Sequence, residues 1–66
     1  MKYIVQVSGT WIEWNPPIGL VDAIGNRAAW VAATAYGHAI HRYASETIAQ
    51  QEAERTAYCV AYRVKY

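Results

Sequence analysis

The chain has 66 residues, 55% hydrophobic and 17% charged, with a formal net charge of +1. That is enough apolar material for one domain, too much for a disordered chain, and too balanced a charge for a strongly basic phosphate binder or an acidic mimic of nucleic acid. Its one cysteine, Cys59, cannot close an intrachain disulfide, Met1 to Gly9 lacks the apolar core of a secretion signal, and Asp22, Arg27, His38 and His41 interrupt the only stretch that approaches a membrane span, so a soluble, cytoplasmic protein is predicted.

From Lys2 to Trp14 apolar residues alternate with polar ones, and Ser8-Gly9 in the middle is a two-residue turn signal, so the segment reads as a β-hairpin. A two-residue turn opposes Val7 to Thr10, Val5 to Ile12 and Tyr3 to Trp14. Tyr3, Val5, Val7, Ile12 and Trp14 then share one face, and Lys2, Ile4, Gln6, Trp11 and Glu13 share the other. A single unbroken strand through Gly9 would give different partners. Asn15-Pro16-Pro17 ends the strand, because proline fixes φ and has no N–H to donate.

From about Leu20 to Arg55 the chain is rich in alanine, and Leu20, Ile24, Ala28, Val31 and Ala35 recur at helical spacing. One helix of that length would exceed about 50 Å, too long for so small a domain, so it must break. Gly37 is the predicted break, with one helix from Asp22 or Asn26 to Tyr36 and a second from His38 to about Arg55. The rival reading makes His38 to Tyr43 a strand and starts a short helix at Ser45, a good N-cap. From Thr56 to Tyr66 the chain alternates again, with Tyr58, Val60, Tyr62, Val64 and Tyr66 on one side, and a third strand is predicted.

The expected fold class is therefore α+β: a small two-layer single domain over residues 1–66, with a three-stranded, mainly antiparallel sheet packed against one or two Ala-rich helices. Its core would hold Tyr3, Val5, Val7, Ile12, Trp14, Val60 and Val64, with the hydroxyls of Tyr58 and Tyr62 reaching the rim.

No constellation for catalysis stands out. His38 and His41 lie three apart, and Cys59 would be a third donor at most, so neither a metal nor any other cofactor is expected. Cys59, set mid-strand among apolar neighbours, reads as a packing residue. The carboxylates Glu13, Asp22, Glu46, Glu52 and Glu54 are scattered, and Gly19, Gly25 and Gly37 make no phosphate-cradling loop, so no enzyme is predicted.

What remains is aromatic chemistry. Six tyrosines and three tryptophans with no phenylalanine give every large ring a polar tip, the composition of a contact surface. The predicted binding set is Trp11 with Lys2, Gln6, Arg63 and Lys65 on the open sheet face. A second line on the first helix is Arg27, Trp30 and Thr34. The plainer reading of both is a solvated surface, with Trp30 closing one end of the core.

In layout, strands at both ends of a short chain around helices, the protein resembles the small stand-alone proteins that phages and other mobile elements encode to inhibit host machinery. That resemblance implies a non-enzymatic protein-binding inhibitor or regulator, in its sharpest form of anti-CRISPR or polymerase-inhibitor type, with a larger host protein or ribonucleoprotein complex as partner. The alternatives are a small nucleic-acid-binding module using Trp11, Lys2, Arg63 and Lys65, and a structural homodimer. Phosphate contacts would weaken steeply with salt, and an aromatic interface would change little.

Overall fold

At the Ser8-Gly9 turn the two central residues have φ of 51° and 80°. Positive φ at both is what a type I′ hairpin turn requires, and its twist matches that of the flanking strands. A computed structural model describes residues 2–62. In it β1 (Tyr3–Val7) and β2 (Thr10–Trp14) pair antiparallel in the register Tyr3↔Trp14, Val5↔Ile12 and Val7↔Thr10. The inward face is the one expected. Tyr3, Val7 and Trp14 are buried and Val5 and Ile12 half-buried, while Lys2, Ile4, Gln6, Trp11 and Glu13 are exposed.

Three helices follow: α1 (Leu20–Ile24), α2 (Asn26–Tyr43) and α3 (Glu46–Tyr62). The short α1 buries Leu20 and Ile24, four apart on one side, and Gly25 at φ 89° and ψ 161° turns the chain directly into α2. Helix α2 then runs 18 residues without interruption, through Gly37, and ends at Ala44, whose left-handed backbone closes the helix by donating its N–H to the Ile40 carbonyl at 2.9 Å. Ser45 starts α3, its Oγ accepting from the Ile48 N–H at 3.3 Å.

Alanine sets how closely α2 and α3 approach. Ala28, Ala29, Ala32 and Ala33 on α2 and Ala49, Ala53 and Ala57 on α3 are buried, and the two-residue connection folds the helices into an αα-hairpin. The large core residues come from elsewhere, chiefly Tyr3 and Trp14 from the strands and Leu20 and Ile24 from α1. The hairpin lies over α2. Gly37 passes beneath Val5 and Val7 so tightly that a Cβ there would stand 2.8 Å from one valine methyl and 2.9 Å from the other.

Among the described residues the architecture is thus a small α+β fold of two antiparallel strands and three helices, one helix more than the one or two expected because Gly25 sets α1 apart from α2, and it departs from the sequence reading at Gly37 and at the third strand as well. Gly37 is a point of close approach inside a helix, not a break; the break falls at Ala44-Ser45. Residues His38 to Tyr43 are helical, so the rival reading is right about Ser45 and wrong about the strand before it. Thr56 to Tyr62 continues α3, and no third strand forms among the described residues; the rest of that predicted strand, Arg63 to Tyr66 with Val64, lies outside them. Val60 still joins the core, half-buried, but from a helix. Among the described residues no helix is long and apolar enough to cross a membrane.

Candidate functional site

The outer face of the hairpin is built by the same alternation that fills its inner face, since turning Tyr3, Val5, Ile12 and Trp14 inward turns their neighbours outward. Trp11 sits opposite Gln6 in the ladder and is 68% exposed, and Ile4, opposite Glu13, is 48% exposed. The Lys2 ammonium stands 3.5 Å from the Glu13 carboxylate, which also accepts from the Asn15 amide at 3.5 Å. Lys2 therefore brings no net charge to this face. Arg63 and Lys65 lie outside the described residues, and the strand that would have carried them beside Trp11 is a helix as far as Tyr62.

The second predicted line is on α2. Trp30 is 44% exposed, but its ring meets Tyr3 edge-on at 4.7 Å, and the Tyr3 hydroxyl donates to Asn26 Oδ1 at 2.7 Å. Half of Trp30 therefore closes the core, as the plainer reading holds. Thr34 donates its hydroxyl to the Trp30 carbonyl at 3.1 Å, and Arg27 is exposed. Between Arg27 and Arg42 the exposed positions are Arg27, Trp30, Val31, Thr34, His38, His41 and Arg42. At 100° per residue these fill a sector of about 120°, one continuous wet face. It contains no carboxylate at all, because α2 has none. Arg42 occupies the last turn, where the helix dipole favours a cation, and lies 5.8 Å from the centre of the Tyr43 ring.

His38 and His41 are both exposed on this face, and no group of three or more metal-binding side chains occurs among the described residues. Cys59 is exposed on α3, not set in a strand as expected. Comparison with protein-family models, with curated proteins and with solved structures finds no match.

Two further features escaped the sequence reading. A shallow cleft between α2 and the start of α3 is lined by Tyr36, Glu46, Thr47, Gln50 and Gln51. Burial, and next the Glu46 carboxylate, push the Tyr36 phenol above its ordinary value. The floor of this region is a polar relay, in which the indole N–H of the fully buried Trp14 donates to Gln50 at 3.0 Å and the Gln50 amide donates to Glu54 at 2.8 Å. The second feature is apolar. Ile18 at the tip of the Pro16-Pro17 loop is fully exposed, and Pro17 and Ile18 line a hollow with Tyr58, which stacks on Tyr62 at 5.8 Å. The four-residue spacing of Tyr58 and Tyr62 is the signal for this pair in the sequence, and it fits strand alternation as well as a helix face.

Proposed function

We propose that the protein is a non-enzymatic protein-binding module whose contact surface is the outer face of the hairpin, with Trp11 as anchor. The observation that carries this is the exposure of Trp11 on a face whose only cation, among the described residues, is matched by Glu13. A large ring held out from the core gains nothing for the fold, whereas at an interface it supplies much apolar area at little entropic cost. Pairing of Lys2 with Glu13 favours an aromatic and apolar contact over a phosphate contact at this face, because phosphate recognition needs uncompensated cations. A body of 32 × 28 × 19 Å that covers a partner's surface in this way acts by occlusion, which is how a small inhibitor or regulator works.

The test is capture from the native cell by the wild-type chain and by Trp11→Ala side by side. Trp11→Ala should keep its melting temperature and lose partner affinity by about 2 kcal/mol or more, the scale of an aromatic hot spot, with little dependence on salt. Undiminished capture by folded Trp11→Ala would remove the proposal.

A further inference from the structure

Among the described residues each strand of the two-stranded sheet has one edge with no neighbour, and the two edges differ. Beside the Ser8-Gly9 turn the flanking pair Val7↔Thr10 exchanges hydrogen bonds, so by alternation Val5 and Tyr3 also direct their backbone groups toward β2. The N–H and C=O groups of Ile4 and Gln6 therefore point outward along the β1 edge. No backbone partner reaches them among the described residues. The strand Tyr-Ile-Val-Gln-Val has no charge, no proline and no bulge, whereas β2 carries Glu13 and runs into Pro16-Pro17. By the devices that protect sheet edges, β1 is the one left unprotected by the described residues.

Its surroundings are as specific. Trp14 of β2 packs on Tyr36 of α2 and bonds Gln50 of α3, while Tyr3 of β1 touches Asn26 and Trp30; Trp30 borders the wet face of α2, so the β1 edge lies on the side of the hairpin next to that face. On that face neither Arg27 nor Arg42 has a carboxylate partner among the described residues, in contrast to Lys2 and Arg55, which pair with Glu13 and Glu52. The two arginines are about 22 Å apart along the helix, the reach of six or seven residues of extended chain.

We propose that the β1 edge accepts an extended acidic segment of a partner protein as a third strand, whose carboxylates on alternate residues meet the α2 arginines. The other alternate residues would lie beside Ile4 on the outer face, so the segment that fits alternates acidic and apolar side chains. A second copy of this chain fits less well, because antiparallel pairing of β1 with β1 would bring two carboxylate-free α2 faces together. This site does not depend on Trp11, which lies on the other strand.

The experiment titrates the isotopically labelled full chain with a synthetic peptide of about eight residues alternating Glu and Val, long enough to span both arginines. Its Lys–Val counterpart and a single-stranded oligodeoxythymidylate are the comparison probes. Expected are slowed amide exchange at Ile4 and Gln6 with the acidic peptide and no binding of the Lys–Val peptide. The exposed pair of reversals Arg27→Glu and Arg42→Glu should weaken binding about tenfold or more. Ile4→Pro, which deletes an outward N–H without touching the ladder to β2, should abolish the protection at Gln6. Absence of binding at millimolar peptide, equal binding of the Lys–Val peptide, or binding without protection at Ile4 and Gln6 would each overturn the proposal. Binding of the oligonucleotide in place of the acidic peptide would overturn it too, and would assign the α2 face to nucleic acid. Trp11→Ala should leave peptide binding intact, so failure here and failure of the Trp11 interface are read separately.

Discussion

Gly37 shows how one residue sets the distance between the hairpin and α2. Glycine inside a helix costs about 1 kcal/mol relative to alanine, so Gly37→Ala gains that much in propensity. Against it, the new Cβ would stand 2.8 Å from Val5 and 2.9 Å from Val7, both β-branched and stiff at χ1, and such overpacking costs about 1 to 3 kcal/mol. The clash wins. Gly37→Ala is expected to lower stability by about 1 kcal/mol in urea denaturation, and Val5→Ala should cost less in that background than in the wild type because it removes one of the clashing methyls. A stabilising Gly37→Ala would show that the helix does not pass this close. Tyr36 supplies a second test at the same scale. Its phenol is raised above 10.0 in the folded chain, so the folded state holds that proton more tightly than the unfolded one. The resulting stabilisation is complete below the ordinary value and is lost as pH rises through the folded one. The urea midpoint of the wild type should therefore fall more between about pH 9 and pH 11 than that of Tyr36→Phe, and identical profiles would dismiss the shift.

At the scale of elements the junction between α2 and α3 depends on two adjacent residues with opposite problems. Ala44 takes φ 52° and ψ 36°, a left-handed conformation that costs a residue with a Cβ about 1 kcal/mol or more, and Ser45 caps α3 through Ile48. Ala44→Gly should raise the melting temperature, and Ser45→Ala should lower stability by about 1 kcal/mol, the usual worth of an N-cap. The reverse order of these two variants would mean that the junction is not held by its caps. This junction also shows where sequence reasoning stopped. The hairpin was legible down to its register because Ser8-Gly9 signals a two-residue turn and the pairing which that turn sets gathers the apolar residues on one face. The helix break was misplaced because Gly37 looks like a terminator, and only the approach of Val5 and Val7 explains a glycine within a helix. The end of α3 was misread for a different reason. Tyr58 and Tyr62 fit both a two-residue and a four-residue period, and Ala49, Ala53, Ala57 and Ala61 carry the four-residue period straight through them. Burial of that alanine line against α2 decides for helix. Of the expected site, Trp11, Lys2 and Gln6 share one face because they follow from the hairpin register, whereas Arg63 and Lys65, whose placement rests on the third strand, lie outside the described residues.

Across the whole molecule the core divides unequally between the elements that build it. The αα-hairpin contributes alanines, which bury little area each, while Tyr3 and Trp14 and the α1 pair Leu20 and Ile24 contribute most of the bulk. Trp14 ties the halves together. It is fully buried, its ring lies 6.3 Å from that of Tyr36 on α2, and its N–H bonds Gln50 on α3. The helices are therefore expected not to hold one another without the residues before them, since close alanine packing with only Tyr36 and Val60 as larger, half-buried side chains leaves most of the ordering entropy of two helices uncompensated. Two expectations follow for the same physical reason. A fragment of residues 26–62 should show little helical circular dichroism at 25 °C, and in the full chain the loss of helix and the change in tryptophan environment should follow one transition, as in two-state unfolding. A fragment that keeps the helicity of the intact protein would show that α2 and α3 are an independent folding unit. The hairpin would then be an accessory laid upon them, and the placement of Trp11 and the β1 edge would owe nothing to the core beneath.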